Sequence, residues 1–557
     1  MTVNLPEITK LWGIPGSGKT TELMSRINED ISSGKYKPPD FAVCAYGKRI
    51  AKEWKDLLGW SMEDEDDIAS PDSSTGTVKT IHGMCKSQTG INNVITEKQK
   101  VEFCEEFKLE FKPNTNKNYE VVDEFGLPIL KTTHHLGNLF FDANSFLKNN
   151  MFSGDQIKKY QGYQNINDKV PFAQEWIRKK QEQYTQWKQN NGVFDFDNML
   201  TSAYEMGAFP SSRILVLDEC QDITPIMNAI IRGYWIPNME KVYIAGDPRQ
   251  TIFSFRGASS LFFEELPGTL VSLPRSYRLP DNIWAFAKKI IERTGQTVPN
   301  IINSGRAGNL KKISESTYYE MIKNREFVSD TFHLVRTNHQ GQKIAYALME
   351  AGIPFSGIMG WDEELKALYS LFLKIRDPNP EEQVFSEQEV IALTSAYPTD
   401  MFYSSNAKIW KDLDELTQPY MFSQIRNISR KDIFNEPELW KLICSNDPLS
   451  EAEPQYRNEG SRRSKLINAL HKGGQLSKED VVVSTIHGVK GSERSTVFLH
   501  DRTRKDTEFE AIYNRTSSYA QSEACVFYVG ATRSRKSLYI VNNDCKYHYP
   551  FPPTEAS

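Results

Sequence analysis

The passage ITKLWGIPGSGKTTELMSRINEDI, residues 8–31, decides the fold. A short apolar strand leads into a glycine turn, and the turn opens into a helix-forming segment. The turn itself, GIPGSGKT from Gly13 to Thr20, matches G-x-x-x-x-G-K-[ST]. Glycines let backbone N–H groups close around phosphates, Lys19 brings charge to the β and γ groups, and Thr20 offers a hydroxyl to Mg²⁺. Gly13, Gly16, Ser17, Gly18, Lys19, Thr20 and Thr21 are therefore the candidate nucleotide-binding residues. A strand, a phosphate-binding turn and a helix in that order imply an α/β fold with a parallel sheet.

Working outward, FAVCAY (41–46), TVKTIH, RILVLDE (213–219) and KVYIAGD (241–247) continue the strand series. They are apolar runs of the kind buried in parallel sheets. A second series follows at TFHLVRT (331–337), VVVSTIH (481–487), STVFLHD (495–501) and SLYIVNN (537–543). Polar, helix-rich blocks interrupt both series. The architecture expected is two α/β units, each broken by a helical insertion, and no internal repeat is visible. The acidic stretch 61–76 reads as a solvated loop.

Composition narrows the class. The chain has 557 residues, too many for one hydrophobic core, and its net charge of -5 excludes a polybasic coat for nucleic acid. A local basic groove stays compatible with that charge. Seven cysteines are scattered with no CxxC pair, so free thiols and no zinc or iron–sulfur site are expected. No run is long enough to cross a bilayer and the start does not read as a signal peptide, which predicts a cytoplasmic protein.

LDECQD, Leu217 to Asp222, sets two carboxylates at the end of an apolar strand. Asp218 suits Mg²⁺, directly or through water, and Glu219 suits the activation of an attacking water. Together with the P-loop these residues define a nucleoside triphosphatase and no more.

Further strings narrow the choice. TIHGMC (80–85), FDFDNML (194–200), GDPRQTIFSFRGA (246–258), LPRSYR (273–278), LVRTNHQ (334–340), STIHGVKGSE (484–493) and YVGATRSRKSL (528–538) occur in order along the chain. With the P-loop and LDECQD, the series resembles superfamily 1 helicases of the UvrD/Rep/PcrA type, over nearly the whole sequence. The resemblance implies two RecA-like P-loop domains. These would be built from residues 1–85 with 195–270 and from 271–360 with 477–557, and helical insertions would occupy 86–194 and 361–476.

It also implies roles. Lys19, Glu219, Gln250, Arg278 and Arg533 would act at the γ-phosphate, the two arginines reaching across from the second domain. Tyr277 would stack on the nucleotide base and Glu493 would lie near its sugar. Phe253 and Phe255 would stack on DNA bases, with Arg256 beside them; the alternative for both rings is a place in the core. Lys48 is assigned to the strand's phosphates or to a solvated helix start, and His82 and His487 to the DNA path or to structural hydrogen bonds.

Some positions depart from the family. No glutamine precedes the P-loop to read adenine, so a preference for ATP over GTP is not implied. Ser276 replaces the usual asparagine before the tyrosine. GDPRQ and Phe255 are closer to the RecB/AddA-type helicase subunits, although no nuclease domain is expected after the last motif. The function implied is an ATP-dependent, Mg²⁺-requiring translocase and helicase on single-stranded and tailed duplex DNA, running 3′ to 5′. The alternative is a DNA-responsive subunit of a nuclease or repair/replication complex with little unwinding of its own. Oligomeric state is not legible.

Overall fold

The computed structural model describes residues 6–60, 75–112, 135–160, 162–298, 301–360 and 481–554, with scattered positions between 367 and 421. Nearly all of the second insertion expected at 361–476, most of the acidic stretch 61–76 and Cys444 lie outside the described residues.

Two six-stranded sheets, parallel throughout, form the frame. The first contains β1 (Glu7–Gly13), β2 (Phe41–Ala45), β3 (Thr77–Thr80), β4 (Ile214–Leu217), β5 (Lys241–Gly246) and β6 (Thr269–Leu273), ordered β3-β2-β4-β5-β1-β6. The second contains β7 (Asn309–Ser314), β8 (Thr331–Val335), β9 (Phe355–Gly357), β12 (Val481–Thr485), β13 (Arg494–His500) and β14 (Ser534–Asn542), ordered β7-β14-β13-β8-β12-β9. A short antiparallel pair, β10 (Val384–Phe385) with β11 (Tyr420–Met421), belongs to neither.

The strand period explains why the inner runs are apolar on both faces. On β2, Val43 and Ala45 join one buried cluster with Leu11, Val216 and Tyr243, whereas Ala42 and Cys44 join another with Trp12, Leu215 and Ile244. Alternate side chains thus fill opposite layers, as expected of a sheet covered on both sides. The second of these clusters continues through Phe263, Leu279 and Trp284 to Phe332, Leu334 and Leu499 of the other sheet. The two lobes share a core through that seam.

Two expected boundaries move. Position 270 falls inside β6, which pairs with β1 from Thr9↔Thr269 to Gly13↔Leu273, so the first sheet runs on to Leu273. Position 85 falls inside the helix Ile81–Thr89, whose Thr80 hydroxyl caps its first turn by accepting from the Gly83 N–H. The strand ends at Thr80 because that cap turns the chain.

The helices Glu97–Glu106, Leu136–Asn149, Tyr163–Asn167 and Ala173–Asn191 lie within residues 86–194, where the first insertion is expected. Its attachment is polar. Lys148 and Lys188 both reach the buried Asp195 Oδ2, at 2.7 and 2.6 Å, and Asn149 Nδ2 donates to Asp197 Oδ1 at 2.7 Å. The acids of FDFDNML therefore fasten the insertion to the first lobe.

Candidate active site and nucleic-acid face

The site lies beyond the carboxyl ends of the first sheet's strands, where parallel sheets place ligands, and it faces the amino ends of β13 and β14 in the second sheet. The P-loop follows β1, Asp218 follows β4, Asp247 follows β5, Tyr277 and Arg278 come after β6, and Glu493 comes after β12. A cavity of about 890 Å³ opens between the lobes, and Lys19, Thr20, Glu219, Gln250, Tyr277 and Arg533 all line it.

The turn is shaped for close approach. Gly16 and Gly18 have φ of 71° and 81°, and a Cβ at Gly16 would sit 2.4 Å from Arg278 Cβ. Only glycine fits there. The chain from the far side closes on the same turn: Ser276 Oγ donates to Pro15 O at 2.8 Å and Tyr277 N–H to Gly16 O at 2.8 Å. Ser276 thus has a structural task. Tyr277 leaves its ring 70% exposed at the cavity mouth, available as a stacking surface.

The buried Lys19 Nζ donates to Gly13 O at 3.0 Å, and Thr20 Oγ1 donates to Asp218 Oδ2 at 3.0 Å. Ser17 Oγ, buried at the cavity wall, has no hydrogen-bond partner among the described residues. An ammonium, a hydroxyl beside a carboxylate and an unspent hydroxyl fit a triphosphate with its divalent cation.

The adjacent acids differ. Burial, reinforced by Glu219's charge, raises Asp218 to about 6, against the pull of Lys19 and Thr20. Burial would raise Glu219 too, but Lys490 and Lys19 hold its carboxyl below the usual range. Glu219 also takes a left-handed backbone, φ 57°, which costs a non-glycine residue free energy. The two carboxylates meet different partners, Asp218 the Thr20 hydroxyl and Glu219 the Gln221 amide and Lys490.

Both arginines of the second lobe reach the cavity. Arg533 is 1% exposed and is held by Val529 O at 3.0 Å, with Nη2 donating to Gln250 Oε1 at 3.1 Å. Burial, then the charge of Arg278, lowers it to about 9, so it stays cationic near neutral pH. Arg278 pairs with Glu493, which places that glutamate on an arginine at the cavity edge.

GDPRQTIFSFRGA runs directly from this cavity to a cluster of rings. Asp247, fully buried, accepts from Arg249 N–H at 3.1 Å and from Gln250 Nε2 at 2.8 Å, which orients the glutamine. Phe253 corrects the expectation of a base-stacking ring. It is 1% exposed, packed on Tyr46 with centroids 5.7 Å apart and beneath Lys490 Nζ at 5.4 Å. No base can reach it in this conformation. Phe255 is half-buried, edge-on to His487 at 5.9 Å and to Phe253 at 6.1 Å, with the Arg256 guanidinium 5.5 Å from its ring.

His82 stacks on Phe196 at 4.2 Å. Burial drives both His82 and His487 down to about 3, leaving neutral rings that stack or hydrogen-bond without attracting phosphate by charge. Lys48 is exposed at the start of the helix Lys48–Leu58.

One residue quoted in the sequence but given no role dominates the lobe contact. Lys490, 2% exposed, enters the first lobe, pairs with Asp222, lies 3.8 Å from Glu219 Oε2 and donates to Gln250 O at 2.9 Å. Arg49 returns the contact from the first lobe to Ser492 and to the Lys490 carbonyl. The only sequence signal was Lys490's place inside STIHGVKGSE.

Two parallel sheets, a P-loop and arginines facing it from the opposite lobe define a two-lobed P-loop nucleoside triphosphatase. The chain belongs to the UvrD/Rep family of superfamily 1 helicases: residues 7–269 match the UvrD/REP helicase N-terminal domain and residues 392–544 the UvrD-like helicase C-terminal domain. Among curated relatives, it is 24% identical over 388 residues to ATP-dependent DNA helicase UvrD2 of Mycobacterium tuberculosis, covering 62% of this chain and 51% of the relative. It is 22% identical over 632 aligned positions to ATP-dependent DNA helicase Rep of Buchnera aphidicola, covering 96% of this chain and 91% of the relative. The first relatives matched are covered over only 30% and 51% of their length, so the chain spans about half of them or less.

Proposed function

We propose that the chain is an ATP-dependent, single-stranded-DNA-stimulated translocase that separates DNA strands in the 3′ to 5′ direction. One observation carries this reading: a single segment holds Gln250 at the cavity and, five residues on, Phe255 among the rings beyond it. A shift of the glutamine on phosphate binding or release is thereby passed to a ring that meets a base. Stacking a base on an aromatic ring contributes about 1–3 kcal/mol and a DNA base-pair step about 1.4 kcal/mol. One stacking step is thus commensurate with opening one pair.

Within the cleft, Lys19 and the P-loop amides hold the β- and γ-phosphates, while Thr20 and Asp218 would hold Mg²⁺, which would supply positive charge against the phosphates. Glu219 orients and deprotonates the attacking water, Gln250 contacts the γ-phosphate, and Arg278 and Arg533 stabilise charge developing on it. Because both arginines belong to the second lobe, hydrolysis requires closure of the cleft. Tyr277 stacks on the base without reading its edge, so GTP is accepted beside ATP.

The test is ATP and GTP hydrolysis with and without single-stranded DNA, with strand separation scored on 3′-tailed and 5′-tailed duplexes. DNA-stimulated hydrolysis with opening of the 3′-tailed duplex supports the proposal. Hydrolysis indifferent to DNA overturns it, and stimulated hydrolysis without strand separation favours a regulatory subunit acting with a separate nuclease or repair protein.

A further inference from the structure

At the far end of the second sheet, three metal-binding side chains meet outside the nucleotide cleft. Asp501 follows β13, and Cys545 and His548 lie on the segment after β14; one ligand atom from each falls within 4.8 Å of the others. His548 Nδ1 is 3.1 Å from Asp501 Oδ2 and 3.8 Å from Cys545 Sγ.

The hydrogen bonds around the imidazole set its polarity. Nε2 lies 2.8 Å from the Cys545 carbonyl, a group that can only accept, so Nε2 carries the proton. In the neutral ring Nδ1 is then a bare lone pair facing Asp501 Oδ2, with Cys545 Sγ beside the ring at 3.8 Å from Nδ1 and 3.9 Å from Nε2. Cys545 Sγ, which donates to Tyr547 O at 3.3 Å, is the third donor atom, and a divalent cation held between the three would take the place of that S–H contact.

We propose that Asp501, Cys545 and His548 form a Zn²⁺ site that fastens the C-terminal segment to the end of β13. A thiolate, an imidazole nitrogen and a carboxylate are a zinc donor set, with water in the fourth position. Tetrahedral ligands around zinc stand about 3.5 Å apart, so the site forms from this arrangement by a small contraction. An imidazole N–H given to a backbone carbonyl is the outer support that zinc-bound histidines commonly have. The ligands are braced as well. Asp501 Oδ1 accepts from Asn543 N–H at 2.9 Å, and Glu508 Oε1 from His548 N–H at 2.9 Å. Binding displaces the thiol proton, and the charges of Zn²⁺, thiolate and carboxylate sum to zero.

The benefit to the fold lies just beyond. Tyr549 stacks on Phe527 with centroids 3.9 Å apart, and Phe551 stacks on Phe286 at 5.9 Å. Phe527 lies on Ser518–Ala531, the helix that ends just before Arg533. A metal clip before Tyr549 would hold the chain end against the support of that arginine.

The experiment uses the full chain, saturated with Zn²⁺ and desalted, with zinc measured per chain in wild type, Cys545→Ser and His548→Gln. Wild type is expected to retain about one equivalent more than either variant, and any zinc at the nucleotide cleft cancels in the difference. A chelator should lower the melting temperature of wild type and leave Cys545→Ser unchanged. On wild type alone, Co²⁺ should give thiolate-to-cobalt charge-transfer absorption, a readout that survives failure of the variants to fold. Equal zinc in all three proteins, or a Co²⁺ spectrum without the thiolate band, overturns the site in favour of an Asp501–imidazolium ion pair.

Discussion

Arg533 Nη2 donates to Gln250 Oε1 at 3.1 Å, so an arginine of the second lobe holds a glutamine of the first across the nucleotide cavity. The two groups are proposed to meet the same phosphate, and their contact ties lobe closure to the segment leading to Phe255. Removing the guanidinium should abolish a charge contact made fully only as hydrolysis proceeds. Arg533→Ala is expected to lower kcat by about 10²–10³-fold, the effect of losing one preorganised donor to a developing anion. Nucleotide affinity should change far less. Steady-state hydrolysis beside equilibrium binding of a fluorescent nucleotide separates the two.

The rings of GDPRQTIFSFRGA should part company under mutation. Phe255→Ala should blunt DNA stimulation of hydrolysis and leave the basal rate and the melting transition near wild type. Phe253→Ala should behave as a core truncation, lowering stability by about 3–5 kcal/mol. Urea unfolding, paired with hydrolysis at rising DNA concentration, measures both. A Phe253→Ala protein of normal stability with lost DNA response would instead place that ring on the DNA path.

The contrast between these rings shows what was legible in the sequence. Long apolar strands, the P-loop and the LDECQD acids were readable because local spacing specifies them. β6, β7 and β9 were not, since they lie at or next to sheet edges and are short or mixed in polarity, with β6 and β7 only partly buried. Phe253 and Phe255 are two residues apart, and only the packing of Tyr46 and Lys490 around one of them decides which is buried. Asp501 meets Cys545 and His548 through the pairing of β13 with β14, so no local spacing announces the cluster.

Acid should destabilise the fold through its buried histidines. His333, 1% exposed, is pushed down to about 3 by burial and then by His500; His500, 2% exposed, is pushed down to about 4 by burial. Their ordinary value is 6.5. The unfolded chain therefore binds protons below pH 6.5 that the folded chain refuses, and stability present above that pH is lost as pH falls. Each ring contributes a slope of up to about 1.4 kcal/mol per pH unit. Urea midpoints at pH 7.5 and 5.0 should show the loss, and His333→Gln, which keeps a polar partner for Tyr318 OH, should reduce it.

Lys490 tests whether the lobes are held by charge or by packing. Its ammonium is buried between Asp222, Glu219 and the Phe253 ring, and burial raises Asp222 to about 7 even though Lys490 opposes that shift. Lys490→Ala leaves the buried Asp222 without its cation and opens space over Phe253, so it should cost about 3–5 kcal/mol, the range for breaking one side of a buried pair. Lys490→Met with Asp222→Asn keeps most of the volume and removes the stranded charge. That pair should recover much of the stability but not coupled hydrolysis, because Glu219 and the Gln250 carbonyl would still lack their link to the second lobe. Thermal melting of the single and double variants, set against DNA-stimulated turnover, gives both quantities. Recovery of turnover along with stability would show Lys490 to be a structural cation alone.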